Sequence, residues 1–175
     1  MKTKKSSVHY QKGNMNKYLV VGLFILFFIP SFGQTYRMYQ TQNIHNQLRL
    51  NTATGEVIQV QDDGQKWTIV NGIERFGKAT NRFRLFETQN IWTFIELDTF
   101  TGRLWQVQFS AKGTEYMVCV PINPNELSKT KGKSIFTIQP MTSMFQYYLI
   151  NEETGQMWKF QWSTKGDEYR WIEPF

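Results

Sequence analysis

Cysteine is almost missing from this chain. Cys119 is the only one, so no intrachain disulfide can form, although an exported protein would meet an oxidising compartment. It lies inside the apolar run from Tyr116 to Ile122, which reads as a small core residue. No cysteine stands at the end of the apolar N-terminal segment, which excludes lipid attachment there. Histidine is equally scarce: beyond residue 33 there is only His45, with no HExxH context or nucleophile elbow, so Ser-His-Asp and Cys-His chemistry lack their parts. No helix-length stretch of period 3.6 follows residue 33, and the one long apolar run is Leu19 to Ile29.

That run defines a targeting segment. Lys2, Lys4, Lys5, Lys12 and Lys17 precede it, and Pro30, Ser31, Phe32 and Gly33 follow it, the layout of a cleaved signal peptide with Gln34 as the mature N-terminus. Eleven residues span roughly 16 Å as a helix, well short of the ~30 Å hydrocarbon core. An uncleaved anchor is the alternative, and Met15 is a second candidate start. The expectation is an exported chain, in the periplasm, on the surface or secreted, without a stable membrane span after cleavage.

Residues 1–33 hold five of the 20 Lys and Arg and none of the 14 Asp and Glu. The remainder therefore carries 15 minus 14, or about +1, and the basic pI belongs to the signal. A nucleic-acid partner is not expected. The only basic run, Lys129, Lys131 and Lys133, sits in a polar Pro/Asn/Gly/Ser linker that reads as solvated.

What is present is a repeat. Asn51 to Gly55 (NTATG), Asp98 to Gly102 (DTFTG) and Asn151 to Gly155 (NEETG) each separate an apolar strand from a Gln-rich one. With the glycines aligned, Leu48, Ile95 and Tyr148 coincide, as do Leu50, Leu97 and Ile150. Downstream, Ile58, Trp105 and Trp158 coincide, then Val60, Val107 and Phe160. Gln59, Gln106 and Lys159 lie between them, followed by Gln61, Gln108 and Gln161, an alternation that predicts one buried and one wet face.

In the middle copy the candidate strands are Phe83 to Glu87, Thr93 to Thr99, Arg103 to Ser110 and Glu115 to Ile122. The first copy has decayed at the last turn, reading QDDGQKW where the others have S-x-K-G-x-E-Y. One all-β domain, 34–175, with repeats near 35–72, 82–123 and 134–175, is expected. A β-trefoil suits the strand count; a three-bladed propeller-like array is the alternative, suggested by Thr93 to Thr99, which is apolar on both faces.

LDTFTGRLW resembles the blade turn of quinoprotein propellers through Asp98, Thr101, Gly102 and Trp105. Trp105 stands three residues after the glycine where that family has four, so the resemblance implies hairpin geometry and neither a quinone nor redox chemistry. The chain also resembles exported bacterial β-repeat proteins with TQN-I/M-W-T-F hairpins, a likeness that implies no activity.

Asp98, Asn51 and Asn151 read as residues that bond their own turn backbone, since one anion in three makes a poor cation cage. Glu115 and Glu168 are copies on separate units and do not form the paired acids of a glycosidase. Trp105, Trp158 and Trp162 are expected in the core. The candidate ligand-binding constellation is the first loop of each repeat: His45, Trp92 and Phe145, with Gln42, Asn43, Gln89 and Asn90 beside them. Rings next to amides suit stacking on a sugar while bonding its edge; Ile44, Ile91 and Met144 favour the competing role of an apolar plug. The expectation is a non-enzymatic binding module without cofactor or metal, for carbohydrate or an envelope component. The alternative is a scaffold in envelope protein–protein interaction.

Overall fold

Among the residues that the computed structural model describes, 35–70, 79–128 and 132–175, twelve strands follow one another in sequence order. The expected signal segment with its cleavage point, and Lys129 and Lys131 of the linker, lie outside the described residues. The first sheet contains β1 (Tyr36–Gln40), β2 (Asn46–Asn51), β3 (Val57–Gln61) and β4 (Lys66–Val70). β5 (Phe83–Glu87), β6 (Thr93–Asp98), β7 (Leu104–Gln108) and β8 (Val118–Asn123) form the second. The third holds β9 (Phe136–Pro140), β10 (Gln146–Asn151), β11 (Met157–Gln161) and β12 (Trp171–Pro174). Each is an antiparallel meander whose spatial order is its chain order. The described residues are therefore all-β, in three four-stranded sheets.

The repeated turn forms because its first residue bonds its own backbone. Asn51 Oδ1 accepts from Ala53 N at 3.0 Å, Asp98 Oδ1 from Phe100 N at 3.1 Å and Asn151 Oδ1 from Glu153 N at 3.0 Å. Gly55, Gly102 and Gly155 then close the turn with φ of 72°, 77° and 73°, the left-handed region that favours glycine. In the next hairpin Thr114–Tyr116 and Asp167–Tyr169 are one-turn 3-10 helices, so β8 begins at Val118 and not at Glu115. Gly166 there has φ 164°, extended backbone that any residue adopts.

The core lies between sheets. One cluster joins Leu48, Leu50 and Val57 of the first sheet to Phe83, Phe94, Trp105 and Val107 of the second. The other joins Ile95, Leu97 and Leu104 of the second to Phe136, Leu149, Trp158 and Phe160 of the third. The middle sheet is covered on both sides, and every residue of β6 is buried. Trp105, Trp158 and Trp162 point inward as their alternation predicts.

Gln59 and Gln106 correct the wet-face expectation, because both are buried. Each reaches a loop of the next sheet. Gln59 Nε2 donates to Ser110 O at 2.8 Å while its Oε1 accepts from Ser110 N at 3.2 Å, and Gln106 Oε1 accepts from Ser163 N at 3.2 Å. A side-chain amide carries one donor and one acceptor group in the spacing of a peptide, so it satisfies backbone groups that the gap between sheets would otherwise desolvate.

Candidate functional site

The first loop of each repeat is held by its own polar side chains. Thr41 Oγ1 donates to Asn43 O and Asn46 O, and Asn43 Oδ1 accepts from His45 N at 3.1 Å. Thr88 and Asn90 repeat the arrangement, with Asn90 Oδ1 accepting from Trp92 N at 2.9 Å. Ser143 does this work in the third loop, where its Oγ accepts from Phe145 N. The Asn side-chain oxygens, expected at a ligand edge, are thus engaged in building the loop.

The rings of these loops pair within their own repeats. Trp92 packs on Phe109 with centroids 5.3 Å apart, and Phe145 on Trp162 at 4.9 Å. Both are half-buried against the inter-sheet clusters, the geometry of a plug. His45 is exposed and its Nδ1 lies 3.1 Å from Asp62 Oδ2. Gln42 and Gln89 are exposed as well. Gln42 meets Asn90 and Ile91 across a crevice of about 10 Å³, no more than one water fills. Phe145 does not line this crevice.

A larger groove lies between the first two sheets. Gln61, Gln65 and Trp67 supply one wall, and the segment from Ser110 to Thr114, with Met117, supplies the other. Its volume is about 190 Å³. It opens where the first repeat is shortest: four residues, 62–65, join β3 to β4, against nine, 109–117, between β7 and β8. The signal in the sequence was that QDDGQKW departure from the other copies, which marks a shortened connection closed by Gly64 N on Gln61 O. Ser110 Oγ accepts from Lys112 N at 3.0 Å, and Gln65 Nε2 donates to Asp63 Oδ2 at 2.7 Å, so both walls are ordered by local bonds. Among the described residues the lining offers an indole, amides and an ammonium. That set can hold a polar molecule.

The acids singled out in the sequence lie elsewhere. Asp98 grips Arg82 through two bonds, Nε to Oδ1 at 2.9 Å and Nη2 to Oδ2 at 2.6 Å, with both side chains buried. Glu115 and Glu168 are exposed, each folded over the glycine two residues before it, Gly113 and Gly166. Cys119 faces the first cluster, and burial, followed by the charge of Glu96, pushes its thiol up to about 12. Among the described residues no group of three His, Cys, Asp or Glu side chains could hold a metal ion, and no helix is long and apolar enough to cross a membrane. Comparison with family models, curated proteins and solved structures finds no match to this chain.

Proposed function

We propose that the chain is an exported, non-enzymatic binding module whose ligand is a saccharide of the envelope, held in the groove between the first two sheets. The carrying observation is the half-exposed Trp67 beside Gln61, Gln65 and Lys112 in a cleft of about 190 Å³. An indole face covers the apolar face of a sugar ring while amides and an ammonium bond its hydroxyls. The volume is at the small end for ligand sites, which suits one residue of a chain and not a buried metabolite. Export rests on the basic and apolar N-terminal run. The ring loops serve this reading as apolar plugs, with Trp92 on Phe109 and Phe145 on Trp162.

The finer architecture follows the blade reading. Each sheet is a meander drawn from one repeat and neighbouring sheets meet across apolar faces, which supports a propeller-like array over a closed twelve-stranded trefoil. A second functional reading, an assembly scaffold, is favoured by the outer faces of the first and third sheets, where Tyr36 and Met38 on one side and Tyr148 and Ile150 on the other meet solvent.

A glycan array followed by titration calorimetry tests the binding reading. Trp67→Ala is expected to abolish saccharide binding and leave the folding transition in place, whereas His45→Ala leaves binding unchanged. A wild-type protein that binds no glycan on the array would end this assignment.

A further inference from the structure

Neighbouring sheets in this chain are joined by one set of contacts used twice. Thr52 O accepts from Arg82 N and Phe83 N at 3.0 and 2.9 Å, and Thr99 O from Ile135 N and Phe136 N at 2.9 and 3.0 Å. The Phe83 ring lies over Gly55 and the Phe136 ring over Gly102, each 3.1 to 3.2 Å from where a Cβ would stand. Gln59 and Gln106 complete the set through Ser110 and Ser163.

Both halves of that set are left over at the ends of the stack. The third turn is exposed from Glu152 to Gln156, and no described residue lies within 4 Å of a Cβ built on Gly155. At the other end Tyr36, the counterpart of Phe83 and Phe136, is 50% exposed where those two are 1%. Met38, at the position of Leu85 and Ile138, is 47% exposed against 5% and 6%.

We propose that the outer face of the first sheet docks on the outer face of the third sheet of a second copy, extending the stack across the boundary between molecules. Tyr36 then covers the partner's open third turn as Phe83 and Phe136 cover the first two. The charges at the two ends complement each other, and the amide and hydroxyl positions they replace are neutral at the internal contacts. Counting from the turn glycines, Lys159 takes the place of Gln59 and Gln106, and Asp63 that of Ser110 and Ser163. Arg49 takes the place of Glu96, the residue whose carboxylate approaches Gly55, and it would meet a turn made acidic by Glu152 and Glu153.

Terminal repeats that serve only as solubility caps carry polar outer faces. These carry Tyr36, Met38, Ile58 and Val60 at one end and Tyr148, Ile150, Met157 and Trp171 at the other. The contact is heterologous, so it closes into a ring if the rotation permits. Two copies give six sheets, the one multiple of three within the four to eight blades of closed propellers. The docking rests on the scaffold reading and names its partner; a monomeric chain that still captured an envelope protein would end the docking alone.

Sedimentation equilibrium on protein expressed as the full chain tests it, with charge reversals at two solvent-accessible sites. The wild type is expected at twice the mass of one chain, and Lys159→Asp and Asp63→Lys are each expected to be monomeric. Mixing the two variants restores the dimer, because every contact between unlike partners then pairs opposite charges. Circular dichroism and melting of each variant alone show that it remains folded. A wild type that stays monomeric as concentration rises overturns the docking, as does association that neither reversal weakens.

Discussion

Arg82 and Asp98 meet through two hydrogen bonds, of 2.9 and 2.6 Å, with both side chains withdrawn from water. The pair ties the start of β5 to the turn after β6, and Asp98 also accepts from Thr101 Oγ1 at 2.6 Å. Asp98→Ala takes the carboxylate away from a buried guanidinium and is expected to cost about 3–5 kcal/mol. Asn51→Ala at the equivalent, partly exposed turn removes neutral bonds only and should cost ~1 kcal/mol. Urea unfolding of the two variants checks the contrast; equal losses would show that the ion pair adds nothing to the turn.

Trp105 and Trp158 occupy matching positions in the two clusters. Trp105→Ala is expected to destabilise by about 3–5 kcal/mol, from lost burial and the cavity left behind. A shift in denaturation midpoint corresponding to less than ~1 kcal/mol would contradict the inward packing.

The ring loops should divide by packing and not by sequence position. Trp92→Ala opens the contact with Phe109 and is expected to cost roughly 2–4 kcal/mol. His45→Ala removes an exposed contact with Asp62 and should stay within ~0.5 kcal/mol. Thermal melts of both variants, read beside the wild type, make the comparison.

Cys119 is raised from an ordinary 9.0 to about 12 by burial and by Glu96. At pH 8 its thiolate fraction falls about a thousandfold below that of an ordinary thiol, so alkylation by iodoacetamide should be slow until the chain unfolds. The same shift sets a direction for stability. Below pH 9.0 the thiol is protonated in both states and contributes no pH dependence; between 9.0 and about 12 the unfolded chain releases a proton that the folded chain retains, so stability falls as pH rises. Cys119→Ala should flatten that part of the profile in melts recorded across the range.

Much of the fold was legible because it is written three times. The turns, the strand positions and the inward tryptophans all follow from the alignment of Gly55, Gly102 and Gly155. Thr93 to Thr99, apolar on both faces, announced a sheet covered on both sides. Gln59 and Gln106 were misread because hydropathy assigns an amide to water, whereas here it replaces a peptide partner across a gap between sheets; only the loop that meets it, Ser110 or Ser163, explains its burial. The groove was legible only as an irregularity, since a shortened turn in QDDGQKW gives no sign of what its absence uncovers. The side-chain duties of Asn43 and Asn90 were hidden for a related reason: the pattern that suits a sugar's edge is also the pattern that closes a turn.

The two apolar clusters share no residue, and each belongs to a gap and not to a sheet. A lone repeat thus meets the full entropic cost of ordering its strands with no interior to offset it, and the first stable nucleus must recruit a neighbour. Each repeat added beyond the second brings a complete new interior with it. Lengthening such a chain by duplication is therefore favourable from the third copy onward, and shortening it to one copy abolishes folding altogether.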